Sequence, residues 1–234
     1  MPADLADNGE MSEAAPRRPI TQSRFWQTYY RHRYGILFFA MLLMLVALPV
    51  APLLGLPPIV IKLLLGASLL AAVLPGATKK TRRSVIVAIV LLVVARYAAD
   101  RGWIPVNSGW VLGTYGVIGL LAAASALRFA MSSEKVDSET IYAALGTYLL
   151  AGVFFGQIYW SLESAWPGSI VGPDEFSDVR AVYYSFITLA TLGYGDFIPR
   201  TDLARGIATF EVIGGQLFLA VLVARLIGLF DNPK

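Results

Sequence analysis

Six long apolar stretches constrain this chain before any motif is read: Ile36–Leu54, Ile59–Leu74, Ser84–Ala98, Trp110–Met131, Ile141–Leu162 and Leu203–Phe230. A helix needs about 20 residues to cross a bilayer, so the second and third stretches must extend into their flanks, past Lys62 and Arg96. Of the 234 residues, 56% are hydrophobic and 15% charged, whereas soluble domains carry about 25% charged residues. Mean hydropathy is +0.62. The expected fold is an all-α membrane protein with six transmembrane helices. Cysteine is absent, which excludes disulfides, thiolate chemistry and cysteine metal sites. The net charge of +3 is too small to argue for nucleic acid, and the basic residues sit at span ends. No catalytic constellation is read, so the chain is not expected to be an enzyme.

Orientation follows from the basic residues. Arg17, Arg18, Arg24, Arg31 and Arg33 precede the first span, Lys79, Lys80, Arg82 and Arg83 fill the second connection, and Lys135 lies in the fourth. By the positive-inside rule both termini are expected in the cytoplasm. The opening "MPADLADNGEMSEAAPRRP" lacks a basic region followed by an apolar core, so it reads as a disordered tail and not a signal peptide. The stretch Arg24–Gly35, "RFWQTYYRHRYG", reads as an interfacial helix. Its arginines Arg24, Arg31 and Arg33 serve either as a topological anchor or as a site for anionic lipid. His32, the only histidine, gives weak support for a pH role.

The connection between the fifth and sixth spans is unlike the others. It opens with the turn-rich "ESAWPGSIVGPDEFSD" and continues into "DVRAVYYSFITLA", which is apolar at helical spacing but too short to cross, as a re-entrant helix would be. Ser177 or Asp178 can cap it. Next comes Thr191-Leu192-Gly193-Tyr194-Gly195 followed by Asp196, a run that suits neither helix nor strand. Irregular backbone at membrane depth is tolerated only where protein buries it or water lines it, and an ion site uses that exception. A hard cation sheds its water only if oxygens replace it closely. Consecutive peptides all point their carbonyls inward if alternate residues are left-handed, which glycine allows without steric cost. Gly193 and Gly195 are spaced for this, and the Thr191 hydroxyl can add an innermost ligand.

"TLGYGD" resembles the signature filter of the potassium channels, and the resemblance runs from about Ile141 to Phe230 as outer helix, pore helix, filter and inner helix. It implies K+ ligated at Thr191, Leu192, Gly193 and Tyr194, with no cofactor beyond the permeant ion. It also implies a homotetramer, since one chain carries a single filter, and a location in the plasma membrane, the inner membrane of a bacterium. Tyr183 and Tyr184 occupy positions where many members have a tryptophan pair packed around the filter tyrosine, and Thr188 joins them as filter support. Asp196 is similar to the family carboxylate above the filter. Ile187 stands where some members have its glutamate partner, which leaves Tyr183 as the donor. Leu192 replaces the usual valine and Ala190 the usual threonine.

In the sixth span Gly215, preceded by Gly214, lies where the family places a gating hinge; close packing by small residues is the other reading. Helical spacing then lines Gln216, Leu219, Val223 and Ile227 along a cavity face. Glu211 is an ionisable group inside a span, either functional or a protonated or hydrogen-bonded acid behind the pore helix meeting Gln157.

The resemblance divides the chain into a cytoplasmic tail and interfacial segment (1–35), a four-helix sensor-like domain (36–131), a linker (132–140), a pore domain (141–230) and a cytoplasmic end (231–234). The fourth span carries only Arg128, where voltage-gated members carry a charge at every third position. Steep voltage gating needs several charges per chain, since each is worth about 2.3 kcal/mol per 100 mV. After Phe230 only "DNPK" follows, so no regulatory domain is expected there. Two other functions remain open. A potassium transporter subunit of the known kind would carry four filter repeats in one chain, and a membrane scaffold with a vestigial pore would share the motif.

Overall fold

The computed structural model describes residues 24–50, 53–55, 108–132 and 137–230, with single positions between 87 and 103. The elements whose bounds are described follow in order: α1 (Arg24–Val50), α2 (Ser108–Ser132), α3 (Ser138–Ala165), β1 (Ile170–Val171), α4 (Asp178–Leu189), β2 (Ile198–Pro199) and α5 (Asp202–Phe230). Four helices among the described residues are long and apolar enough to cross a membrane: His32–Val50, Gly109–Ser132, Ser138–Ala165 and Asp202–Arg225. They correspond to the first, fourth, fifth and sixth expected spans. The second lies outside the described residues, and of the third only separate helical positions such as Val90, Leu91 and Val93–Ala95 are described. The first span was expected to reach Leu54; instead Leu53–Gly55 already form a turn, with Gly55 at φ 65°.

Local chemistry sets the helix ends. Asp137 caps α3, accepting from the Thr140 N–H at 2.8 Å and the Thr140 hydroxyl at 2.7 Å. These bonds hold its carboxyl below the usual aspartate range. Ser177 caps α4, accepting from the Arg180 N–H at 3.4 Å, so of the two expected caps the serine is used. Thr201 accepts from the Ala204 N–H at 3.3 Å as α5 begins. Within α1 the helix kinks at His32 (φ −119°, ψ 21°). The break releases backbone donors of the following turn, and Glu139 on α3 takes the Tyr34 N–H at 3.0 Å.

Two apolar clusters organise the packing. In one, Leu37 and Met41 of α1, Tyr115 of α2, and Leu150 and Phe154 of α3 are fully buried. Helix α2 meets α3 closely because Gly119 lies over Phe154, where a Cβ would come within 2.0 Å of the ring. The second cluster surrounds α4 with Phe155, Tyr159, Phe176, Tyr184, Ile187 and Phe197. An aromatic chain runs through it, from Tyr159 to Tyr184 (4.8 Å between centroids), to Phe176 (6.1 Å), to Phe197 (5.5 Å).

Strands β1 and β2 pair antiparallel, Ile170 with Pro199 and Val171 with Ile198. This pairing brings together the two ends of residues 172–197, so the segment holding α4 and the glycine-rich run leaves and returns at one place. The preceding turn is held by Glu163, whose carboxylate accepts the Gly168 N–H at 2.7 Å and the Ile170 N–H at 2.9 Å.

Candidate functional site

The site grows from the C-terminal end of α4. The helix ends at Leu189, and the next residues turn back onto it. Thr191 donates its N–H to the Thr188 carbonyl at 2.9 Å, and Leu192 and Gly193 both donate to the Ile187 carbonyl, at 2.8 and 3.2 Å. Thr188 thus supports the run through its backbone. From there alternate residues are left-handed: Thr191 at φ 60°, Gly193 at 53° and Gly195 at 78°. The two glycines are those the sequence analysis singled out. Thr191 was not expected among them, and as a β-branched residue it holds an outlying conformation, fixed by the hydrogen bonds that fold residues 191–193 back onto α4. All five residues from Thr191 to Gly195 are exposed in the single chain, Leu192 at 57% and Tyr194 at 68%.

The two neighbouring tyrosines diverge. Tyr184 is buried against Tyr159 and Phe176, whereas Tyr183 is exposed. The Tyr183 phenol faces the Asp196 carboxylate, and hydrogen bonding to it, with some desolvation, holds the phenol above the ordinary tyrosine range. Asp196 Oδ1 is buried with no hydrogen-bond partner. Phe197 beside it is buried and fills the space over Gly172, where a Cβ would come within 2.2 Å of its ring.

Helix α5 meets the site at two points. Gly215 is buried beneath Leu189: a Cβ there would stand 2.8 Å from both the Leu189 carbonyl oxygen and its Cδ1, while Gly214 faces open space. One turn earlier Glu211 is fully buried, accepting from the Tyr159 hydroxyl at 2.7 Å and the Ser185 hydroxyl at 2.5 Å. The expected meeting of Glu211 with Gln157 does not occur. Gln157 is buried with its Oε1 unpartnered, and Tyr159, two residues on along α3 and so on a different face, meets the acid instead. Sequence reading missed Tyr159 and Ser185; their signal was a hydroxyl in each apolar helix flanking the buried acid. Gln216, Leu219, Val223 and Ile227 are exposed along α5. At the other end of the chain, Arg24 and Arg31 lie along α1, and the Arg33 guanidinium stacks over the Tyr34 ring at 4.9 Å.

A short helix and an irregular glycine-rich return, closed at its base, lie between two helices long and apolar enough to cross a membrane, which fits an all-α membrane channel. Residues 144–232 match the family model described as ion channel, and over that stretch the chain is similar to potassium channels. It is 36% identical over 92 residues to an inward rectifier potassium channel of Paramagnetospirillum magnetotacticum, a match covering 38% of this chain and 28% of the relative. It is 29% identical over 100 residues to two-pore potassium channel 2 of Arabidopsis thaliana, covering 41% of this chain and 21% of the relative. The chain thus spans about a quarter of the length of these curated relatives. Family and relatives are ion channels, not enzymes. No solved structure matches.

Proposed function

We propose that this chain is the subunit of a homotetrameric channel that conducts K+ passively across the plasma membrane. Thr191, Leu192, Gly193 and Tyr194 ligate the ion through backbone carbonyls, and the Thr191 hydroxyl adds the innermost oxygen. The observation that carries the reading is the alternation of left-handed residues at 191, 193 and 195, the backbone requirement for successive carbonyls to face one axis. Helix α4 re-enters the membrane from the outer side, and both termini are cytoplasmic.

The need for several copies supports a tetramer, since one strand of carbonyls cannot surround an ion. Burial agrees: 61% of the apolar window of α3 is buried within the chain, but only 11% of that of α5. The exposed face of α5, with Gln216, Leu219 and Val223, lines the cavity below the filter, and its flanks pack on neighbouring subunits. In the tetramer Tyr194 finds its aromatic partners across the subunit boundary. Arg24, Arg31 and Arg33 sit at the cytoplasmic surface, where anionic lipid would meet them.

The test is ion flux through purified protein in liposomes, with native mass spectrometry of the same preparation. Barium-sensitive K+ flux well above Na+ flux, from tetramers, is the expected result. Flux without K+ preference, or activity from monomers and dimers alone, would sink the reading.

A further inference from the structure

A carboxylate inside an apolar helix is costly, and stability alone does not account for Glu211. Replacing a buried charge by a well-packed apolar side chain of similar volume is often neutral or stabilising. What the acid supplies is direction. Its two oxygens take hydroxyls from two different helices, Tyr159 on α3 and Ser185 on α4, and all three residues are fully buried. Among the described residues no Lys, Arg or His makes a salt bridge with it.

The arrangement is a two-point fixture between α4 and α5. Ser185 and Leu189 lie four residues apart on one helix, Glu211 and Gly215 four apart on the other. Ser185 is joined to Glu211 by a hydrogen bond, and Leu189 meets Gly215 through its backbone. Four residues rise about 6 Å, so the two contacts together resist both sliding and tilting. A slip of α4 by one residue, about 1.5 Å, would break the Ser185 bond. Immediately beyond Leu189 the chain enters the strained Thr191.

We propose that Glu211 is a positioning residue for selectivity: by holding Ser185 and Tyr159 it sets the depth and tilt of α4 and thereby the left-handed geometry at Thr191. The inference rests on reading residues 191–195 as a K+ filter. It assigns Glu211 no contact with the ion.

The experiment is the K+/Na+ permeability ratio of the full chain in liposomes, read from bi-ionic reversal potentials, with the thermal stability of the tetramer measured in parallel. Glu211→Leu should lower the ratio about tenfold, as loss of a buried hydrogen bond would, while tetramers remain. Glu211→Gln, which can still bond both hydroxyls, should stay within about threefold of wild type. Ser185→Ala should share the loss, and Ser185→Ala combined with Glu211→Leu should be no worse than Glu211→Leu alone. An unchanged ratio in Glu211→Leu tetramers overturns the inference. If that variant does not assemble, an unchanged ratio in Ser185→Ala, which removes a single oxygen, overturns it equally. A wild type without K+ preference would instead overturn the filter reading, and this inference with it.

Discussion

Gly215 of α5 lies directly beneath Leu189, the last residue of α4, so closely that a Cβ would stand 2.8 Å from the Leu189 carbonyl oxygen. Of the two readings of Gly215, hinge and packing surface, the packing is visible here, while its neighbour Gly214 faces open space within the chain. Gly215→Ala should therefore displace the pore helix and destabilise the assembly by about 1–3 kcal/mol, the usual cost of overpacking. Gly214→Ala should leave flux and tetramer stability close to wild type. Liposome flux and thermal melting of both variants check this; equal losses in the two would favour flexibility at the pair over packing at one member.

The left-handed backbone at Gly193 makes a second prediction. Alanine there costs about 1–3 kcal/mol of backbone strain, and the chain relieves it by rotating a peptide away from the axis. Gly193→Ala should abolish K+ flux or make it nonselective, even though nothing lies within 4 Å of the added methyl group in the single chain. Reversal potentials in mixed K+ and Na+ provide the measurement, and K+ preference retained in the mutant would contradict the role given to this residue.

Tyr183 and Asp196 face each other beside the glycine-rich run, and the carboxylate retains one buried oxygen without a partner. A pair held this loosely should influence how long the filter stays conducting more than whether it selects. Tyr183→Phe and Asp196→Asn should each change the rate of slow current loss, and the double variant should be no worse than the stronger single one. Additive effects in that double-mutant cycle would show that the two act separately.

Arg128 is exposed near the C-terminal end of α2 and is the only charged residue of that helix. Even a full crossing of the field by one charge in each of four subunits would supply only about 9 kcal/mol per 100 mV, four times about 2.3, and a residue near the interface crosses a fraction of it. The slope of open probability against voltage should be shallow and unchanged in Arg128→Gln. Current families recorded from wild type and variant in the same lipid test this, with a steep wild-type curve that flattens in the variant as the contrary outcome.

Much of this molecule is written locally. Apolar runs and their flanking caps place α2, α3 and α5 to within a few residues, because a span in lipid must be helical and must bury its own backbone polarity. Gly193 and Gly195 announce left-handed backbone by residue type alone, since few other residues adopt it freely. Thr191 does not, for its conformation is imposed by the bonds that fold residues 191–193 back onto the end of α4. Nor could sequence choose a partner for Glu211. Gln157 and Tyr159 are two residues apart on one helix, and only the packing of α3 against α4 and α5 turns the phenol to the acid and leaves the amide aside. The same holds for Gly215, whose sequence suits hinge and packing alike until Leu189 is seen resting on it. Residue type and spacing determine which segments enter the membrane and where the backbone bends; which side chains meet across helices depends on rotation and depth, and these are settled only when the helices pack.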